Sequence, residues 1–370
     1  MSEAPGRTII RQGKTYLFFS GYSYLGMSHV AGFRNLLKEG IDRYGALFPS
    51  SRISNTTLPL YGHLEHYLSQ LTGQDSTVSY ASGTLACQAI GQLLSDGENI
   101  FVAPGTHPAM GLGNKRDGAP MEAVDGGSYE DWSRKLIRFT ADSTHDHFAL
   151  VANSVNPLTG VINDFMFLQD LPRQKRFTFL IDDSHGIGWM GEHGEGIASA
   201  LMHLPHVEYL IVYSLSKAFH IQGGAVSCPP AWAERLRRAP QYTASTPMAP
   251  AFAHTLLNAG SLYEVQRALL ERNVDSLTRM VNAMPETDGA LSALQPTQTP
   301  VFLCGATQAN AFSIAPALEE QGIIISSFAY PDPAGPPLNR VVLSALHEPS
   351  DLEALARGIR KVQGSAGPNI

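Results

Sequence analysis

One lysine stands out because no other charge lies near it in the sequence. Between Tyr209 and Trp232 the only formally charged side chain is Lys217, which follows an apolar segment that reads as a buried strand. Burial of an amine disfavours its charged form and lowers its pKa. Because a neutral amine attacks carbonyl groups, Lys217 is a candidate Schiff-base lysine; the alternative is a lysine that extends from the strand end to solvent.

A second polar cluster ends an apolar segment upstream of Lys217. Residues 177–181 are followed by the sequence Asp-Asp-Ser-His at 182–185. Ligands of open α/β sheets bind at the carboxyl ends of strands, where a carboxylate can keep a pyridine nitrogen protonated. One of the two aspartates is expected to be a cap or turn residue, and His185 alone could be structural. The two strand ends together predict a pyridoxal-phosphate enzyme with its cofactor on Lys217.

A phosphate site is predicted at the start of a helix. Ser82, Gly83 and Thr84 lie between a short apolar segment and a stretch, 84–94, with apolar residues at helical spacing. Backbone N–H groups and the dipole at a helix start bind anions, so these residues could hold the phosphate. A plain turn before a helix is the alternative interpretation.

Strands alternate with helices through the middle of the chain, which predicts an α/β protein with a large, mainly parallel sheet and helices on both faces. The predicted strands cover 99–104, 148–153, 177–181 and 209–213. From residue 253 a long helical pattern begins, and strands at 323–326 and 340–345 then predict a smaller α+β domain. A capping box from Ser350 to Glu353 is expected to start the last helix. The predicted division is an N-terminal arm (1–45), a large cofactor domain (46–248) and a linking helix with a small domain (249–370).

Composition excludes several classes of protein. The 370 residues carry a net charge of −7 without a run of Lys or Arg, which argues against a nucleic-acid partner. No stretch is long and apolar enough to predict a membrane span, and the N-terminus is too polar for a signal peptide. Cys87, Cys228 and Cys304 are far apart in apolar settings, and His145 and His147 have no spaced partner. We therefore expect a soluble, cytoplasmic protein without a metal site.

In their order, these motifs resemble the α-oxoamine synthases, the family of 8-amino-7-oxononanoate synthase and 2-amino-3-ketobutyrate CoA ligase. This family has the fold of the fold-type I pyridoxal-phosphate transferases, and the resemblance covers most of the chain. The segments that carry it are Tyr24-Leu25-Gly26, Ser51-Arg52 with Leu64-Glu65, Ser82-Gly83, IDDSHGIGWMGEHGEG at 181–196, SLSKAF at 214–219, and YTASTPMAP at 242–250.

The resemblance implies roles for individual residues. Lys217 would hold the cofactor, Asp182 would meet its pyridine nitrogen, and His185 its phenolic oxygen. Arg340 would bind the carboxylate of an amino-acid substrate, which suits the bidentate geometry of a guanidinium, and Ser23 takes the position of a family asparagine near the substrate. The resemblance further implies a homodimer with shared active sites. The remaining implied cofactor residues are His107 on the ring and, for the phosphate, Ser82, Gly83, Thr84, Ser214 and, from a neighbouring subunit, Ser245.

Departures from the family pattern leave two reactions open. Asn156-Pro157-Leu-Thr-Gly160 replaces a family segment whose serine helps to position the substrate, and resembles a motif of class I aminotransferases in which the asparagine approaches the phenolic oxygen. A family histidine is replaced near Tyr61, and a glycine by His220. The motif order favours a synthase that condenses an amino acid with an acyl-CoA and releases carbon dioxide. The alternative is an aminotransferase for a small amino acid.

Two further interpretations are weaker. The glycines of 186–191 match the G-x-G-x-x-G pattern of nicotinamide dehydrogenases, but acidic residues lie on both sides and a lone match is unspecific. A non-enzymatic binding protein derived from a cofactor domain would be expected to lack Lys217, which this chain retains.

Overall fold

The structure is a computed structural model that describes residues 4–95, 99–111, 127–283, 294, 297–304, 314–329 and 334–365. The chain forms two compact units. The large unit comprises Val30–Pro157 and Ile162–Leu262, and the small unit comprises Met1–His29, Leu158–Val161 and Tyr263–Ile370. The predicted division at residues 45 and 248 stays a prediction.

The strands and helices alternate in the large unit, as the sequence indicates. The strands are β1 (Thr8–Arg11), β2 (Lys14–Phe19), β3 (Ser76–Tyr80), β4 (Ile100–Val102), β5 (His147–Asn153), β6 (Arg176–Asp182), β7 (Val207–Ser214), β8 (Gly224–Cys228), β9 (Val301–Cys304), β10 (Ile323–Ala329) and β11 (Pro337–Val342). The helices are α1 (Ala31–Tyr44), α2 (Pro59–Thr72), α3 (Gly83–Ser95), α4 (Tyr129–Asp142), α5 (Pro230–Arg238), α6 (Pro240–Thr243), α7 (Pro250–Asn258), α8 (Gly260–Asn282), α9 (Ile314–Glu320) and α10 (Pro349–Ser365). Among the described residues, no helix has the length and apolar character needed to cross a bilayer.

The sheet of the large unit has six strands in the order β3-β8-β7-β6-β5-β4. Strands β4 to β7 pair in parallel, while β8 runs antiparallel to both of its neighbours. Residues 148–152 and 177–181 are buried along their whole length, which is typical of strands covered on both faces. The prediction of an α/β fold with a mainly parallel sheet is confirmed.

The register of this sheet aligns the polar ends of its strands. Asn153 at the end of β5 pairs with Asp182 at the end of β6, and Asp182 in turn pairs with Val212 of β7. Because β5 to β7 are parallel, their carboxyl ends lie at one edge of the sheet. Lys217 follows β7 at that same edge.

The N-terminal residues build part of the small unit. Its sheet has the order β1-β2-β10-β11-β9, with β2 parallel to β10. Strands β1 and β2 form a hairpin around Gln12 and Gly13, whose φ angles of 53° and 75° suit a two-residue turn with a right-handed twist. The sequence predicted an arm here but gave no sign that it would extend this sheet.

Two predicted helix features differ from the structure. The long helical pattern from residue 253 is two helices, α7 and α8, separated at Ala259. The predicted capping box from Ser350 to Glu353 is wrong, because α10 starts at Pro349 and the Asp351 carboxylate accepts the Glu348 N–H at 2.8 Å. Proline suits the first helical position because its fixed φ is already helical and no N–H is needed there.

Candidate active site

Lys217 lies in the loop that connects β7 to β8. Two backbone hydrogen bonds close this loop, from the N–H of Leu215 to the oxygen of Gly223 at 3.0 Å and from the N–H of Ile221 to the oxygen of Leu215 at 3.1 Å. Burial lowers the pKa of the Lys217 amine from its ordinary value, while Asp182 is the largest influence in the opposite direction. The loop therefore holds an amine that is easier to deprotonate than an exposed lysine.

Asp182 presents a carboxylate within electrostatic range of this amine. It is the last residue of β6 and is 7% exposed, and its Oδ1 accepts the N–H of Ser184 at 3.0 Å. That bond fixes the carboxylate at the strand end. The structure brings Lys217 and Asp182 into electrostatic contact, as the strand-end argument predicts.

Asp183 is the aspartate with a structural role. It is fully buried, and its two oxygens accept the Ser154 hydroxyl at 2.5 Å and the N–H of Ile197 at 2.9 Å. Burial raises the pKa of Asp183 to about 7, and the two hydrogen bonds act in the opposite direction. A Cβ on Gly196 would lie 1.8 Å from Oδ2 of Asp183, so this glycine permits the close approach. Asp183 thus fixes the glycine-rich loop that follows it.

The start of α3 packs directly against the end of β7. The hydroxyl of Ser82 accepts the N–H of Leu85 at 3.2 Å and so caps the helix. A Cβ on Gly83 would lie 2.6 Å from the Cβ of Ser214, so only glycine allows the two backbones to come this close. Thr84 is exposed in the first turn.

Serine hydroxyls gather beside this helix start. Ser214 Oγ lies 2.8 Å from Ser216 Oγ, and the N–H of Ser214 donates to Ser184 Oγ at 2.9 Å. Backbone N–H groups of a helix start together with hydroxyl groups are suitable ligands for a phosphate. The arrangement of Ser82, Gly83 and Ser214 thus fits the predicted anion site.

Asn153 is a site residue that the sequence analysis missed. Its Nδ2 donates to the oxygen of Gly105 at 2.6 Å, and its Oδ1 accepts the N–H of His107 at 3.3 Å. The same loop approaches Asn156, since a Cβ on Gly105 would lie 3.3 Å from its Nδ2. A polar residue at the end of a buried strand, the signal used for Asp182, also identifies Asn153.

Two predicted residues have local hydrogen-bond partners, and a third lies in a turn. The Nδ1 of His107 accepts the N–H of Ala109 at 3.1 Å, which leaves its exposed ring at the start of a short 3-10 helix. Ser245 donates its hydroxyl to the oxygen of Gln241 at 2.5 Å. His185 is partly buried in the turn after Asp183. The cofactor roles of these residues stay predictions.

Cys87 and His220 are further features near Lys217. Burial raises the pKa of the Cys87 thiol, Asp182 adds to this effect, and Lys217 opposes it. Cys87 follows Gly83 by one helical turn and so lies on the same face of α3. His220, in the loop of Lys217, has a φ of 58°, a left-handed conformation that glycine adopts more easily.

Arg340 and Ser23 lie in the small unit. Arg340 is on β11, is 3% exposed, and has its guanidinium 4.8 Å from the ring centre of Phe328. Burial lowers the pKa of Arg340, while the phenols of Tyr24 and Tyr22 act in the opposite direction. The backbone oxygen of Ser23 accepts the N–H of Gly26 at 3.2 Å. The substrate roles of Arg340 and Ser23 stay predictions.

The glycines of 186–191 do not open a helix. Residues 184–194 form turns and bends, and Gly188 and Gly191 have φ angles of 90° and 86°. A dinucleotide site of the predicted kind needs those glycines at a helix start, where backbone N–H groups bind the pyrophosphate. The dehydrogenase interpretation therefore lacks its structural basis. Among the described residues no cluster of three or more His, Cys, Asp or Glu side chains could hold a metal ion.

The large unit fits pyridoxal phosphate as a cofactor. A desolvated amine suits the aldehyde of this cofactor, and a carboxylate in electrostatic contact with the amine suits its pyridine nitrogen. A glycine-lined helix start suits its phosphate. This fit rests on Lys217, Asp182 and Gly83.

Comparisons with known proteins agree with this arrangement. The family model described as aminotransferase class I and II matches residues 19–359. An 8-amino-7-oxononanoate synthase of Aliivibrio fischeri is 26% identical over 98% of this chain and 93% of its own length. The enzyme of the same name from Vibrio cholerae is 27% identical over 96% of this chain and 90% of its own length.

Solved structures with low sequence identity share the fold. A serine palmitoyltransferase of Sphingomonas wittichii superposes with a TM-score of 0.83 at 22% identity, covering 99% of this chain and 92% of its own. An 8-amino-7-oxononanoate synthase of Francisella tularensis gives a TM-score of 0.72 at 22% identity, covering 95% and 98%.

Proposed function

The chain belongs to the aminotransferase class I and II family of pyridoxal-phosphate enzymes, and from this premise we propose that it condenses an amino acid with an acyl-CoA thioester and releases carbon dioxide. The observation that carries the proposal is the desolvated amine of Lys217 in electrostatic contact with the Asp182 carboxylate. Similarity to two proteins named 8-amino-7-oxononanoate synthase over more than nine-tenths of the chain supports the synthase reaction over other reactions of the family.

Each residue would contribute a defined part. Pyridoxal phosphate, when bound, supplies an electron-withdrawing ring that stabilises negative charge on the carbon next to the substrate nitrogen. Lys217 would hold the cofactor and, once released by the amino acid, its Nζ would take the substrate's α-proton. Asp182 would keep the ring nitrogen protonated. The other proposed cofactor ligands are His185 and Asn156 for the phenolic oxygen, His107 for the ring face, and Ser82, Gly83, Thr84, Ser214 and Ser245 for the phosphate.

The bond changes of the proposed reaction are those of a Claisen-type condensation. The α-carbon forms a bond with the thioester carbonyl carbon, and CoA leaves as its thiolate, which takes a proton from solvent. The carboxylate then departs as carbon dioxide, and Nζ of Lys217 returns a proton to the same carbon. Arg340 would bind the carboxylate until it leaves, with Ser23 beside the substrate.

An aminotransferase for a small amino acid is the second candidate. It is favoured by the sequence Asn156-Pro157-Leu-Thr-Gly160 and by the approach of the Asn156 amide to Gly105 next to the predicted site. In that reaction Lys217 would return the proton to the cofactor, and the amino acid would leave as a keto acid.

The two candidates are distinguished by the products that form from an amino acid with and without a thioester. We would add pyridoxal phosphate to the purified protein, then titrate glycine, alanine and serine with and without acyl-CoA while measuring absorbance and released thiol. Thiol release that requires both substrates supports the synthase. Keto-acid formation from the amino acid alone, without thiol release, would overturn it.

Lys217→Ala tests the cofactor assignment within the same experiment. The variant should lose the absorption band of the covalently held cofactor, and Lys14→Ala, which alters an exposed lysine of the small unit, should keep it. A band that persists in Lys217→Ala would show that another residue holds the cofactor.

We also propose a cytoplasmic homodimer with shared active sites. The segment around Ser245, which resembles one that reaches a neighbouring subunit's phosphate, supports the dimer. The three free, buried cysteines support a reducing compartment.

A further inference from the structure

Tyr61 holds the backbone that leads into α7. It lies in the first turn of α2, and its hydroxyl donates to the backbone oxygen of Met248, two residues before α7, at 2.8 Å. Both side chains are buried, at 1% and 2% exposed. An unpaired backbone oxygen is costly away from water, so this hydrogen bond fixes the position of Met248 relative to α2.

Arg52 fixes the ring of Tyr61 in turn. Its guanidinium lies 4.7 Å from the centre of that ring, a position in which the cation attracts the ring face. Nη1 of Arg52 donates to Oε1 of the buried Glu65 at 3.0 Å and to Oγ of Ser79 at 3.1 Å. Because Ser79 lies on β3, Tyr61 is held against the large sheet as well as by its own helix.

The side chain of Met248 fills the space beside Gly223. A Cβ on Gly223 would lie 2.1 Å from Cε of Met248 and 3.3 Å from Cδ1 of Leu215. Gly223 is the last residue of the loop that carries Lys217, and its oxygen accepts the Leu215 N–H that closes this loop. The Met248 methyl group therefore packs against the closing point of the loop.

The start of α3 packs against the next residue of the same turn. A Cβ on Gly224 would lie 2.4 Å from Cα of Gly83. A loop end that is packed against both Met248 and α3 cannot shift unless one of them moves, because protein interiors leave few voids. We infer that Tyr61 is a positioning residue for Lys217, which keeps the lysine's loop closed by holding Met248 against it. The inference deepens the proposed function, because it rests on Lys217 as the residue that holds the cofactor.

Tyr61→Phe tests the first contact by removing one hydroxyl. In the full-length protein, with and without pyridoxal phosphate, the amide hydrogens of Leu215 and Ile221 should exchange with deuterium about fivefold faster. These amides close the loop, and a lost hydrogen bond changes a local opening equilibrium by about that factor. The matched control is Tyr209→Phe, which removes a hydroxyl that donates to the backbone oxygen of Met202 at 2.9 Å, near the opposite end of β7. It should leave both exchange rates at their wild-type values.

A pair of substitutions tests the second contact. Gly223→Ala places a Cβ where the Met248 methyl group lies, and this overpacking should slow the appearance of the covalent absorption band with pyridoxal phosphate about tenfold. Met248→Ala, added to Gly223→Ala, removes that methyl group, so the double variant should regain most of the rate. A substitution that acted on stability alone would give no such recovery at Lys217.

These measurements are independent of the condensation. Wild-type exchange of the two amides in Tyr61→Phe would overturn the positioning role, and so would a double variant as slow as Gly223→Ala alone. If the exchange rates and the recovery are as expected but no thiol is released from acyl-CoA, the condensation is wrong and the positioning of Lys217 stands.

Discussion

At the residue scale, Asp182 and Asp183 are neighbours whose carboxylates have different surroundings. Asp182 lies within electrostatic range of Lys217, whereas both oxygens of Asp183 accept hydrogen bonds from Ser154 and Ile197. A strand alternates its side chains between two directions, so adjacent residues at its end meet different partners. Asp182 is therefore the aspartate we propose for the ring nitrogen, and Asp183 fixes the loop.

Asparagine substitutions should separate these two roles. Asp183→Asn should lower the free energy of unfolding by about 1–3 kcal/mol, because an amide N–H group would then face a buried donor. Asp182→Asn should change stability much less. If Asp182 has the proposed role at the ring nitrogen, the variant should reduce kcat about a hundredfold, because a neutral amide does not hold that nitrogen protonated. Urea unfolding and steady-state kinetics of both variants measure this. Equal loss of stability in both would contradict the division of roles.

At the element scale, the start of α3 and the end of β7 form the predicted phosphate site by close backbone approach. A Cβ on Gly83 would lie 2.9 Å from the Cα of Ser214, and one on Gly224 would lie 2.4 Å from the Cα of Gly83. Backbone atoms cannot move away from an added Cβ as the end of a flexible side chain can. The glycines therefore set how closely the start of α3 can approach the end of β7 and the start of β8.

Gly83→Ala should displace the start of α3. We expect a loss of about 1–3 kcal/mol in the free energy of unfolding from overpacking, and about tenfold weaker binding of pyridoxal phosphate. The matched control is Gly62→Ala in α2, which has open space around it and should gain up to about 1 kcal/mol from helix propensity. Denaturation of the cofactor-free variants and cofactor titration provide the two measurements. If Gly83→Ala is as stable as Gly62→Ala, the close approach is not a constraint.

At the scale of the whole molecule, separate parts of the chain meet in the small unit through a buried histidine. His347 Nδ1 accepts the N–H of Ser344 at 3.0 Å and Nε2 donates to the oxygen of Phe18, which connects the N-terminal strand to the segment after β11. Its ring also stacks on Phe19 at 4.1 Å. Both nitrogens are used by the neutral ring, so protonation would break the acceptor bond.

Stability should therefore fall in mild acid. Burial lowers the pKa of His347 to about 4 from 6.5, with Asp351 acting against the shift and Arg7 adding to it. Between these pH values the unfolded chain binds a proton that the folded chain does not, so the contribution of His347 to stability is lost as pH falls. The full effect is about 3 kcal/mol. The thermal midpoint should fall less steeply from pH 7 to 4 in His347→Gln than in the wild type; identical slopes would rule out His347 as the cause.

Sequence patterns identified the features that are local along the chain. The buried strands around β5, β6 and β7 follow from continuous apolar runs, and Lys217 and Asp182 follow from polar residues at the ends of such runs. The order of these motifs was also enough to indicate the family. Helix ends were less predictable, because the start of α10 depends on Pro349 and on the hydrogen bond that the Glu348 N–H donates to the Asp351 carboxylate.

Packing within each unit determines which distant residues become partners. Ser154 and Ile197 distinguish Asp183 from Asp182, Asn153 fixes the loop of His107, and the N-terminal strands extend a sheet whose other strands come from the end of the chain. No local pattern encodes these contacts, since they join residues far apart in sequence that meet only when the core packs. Patterns local to the sequence therefore indicated the candidate groups, and packing within each unit distinguished the partners of Asp182 from those of Asp183.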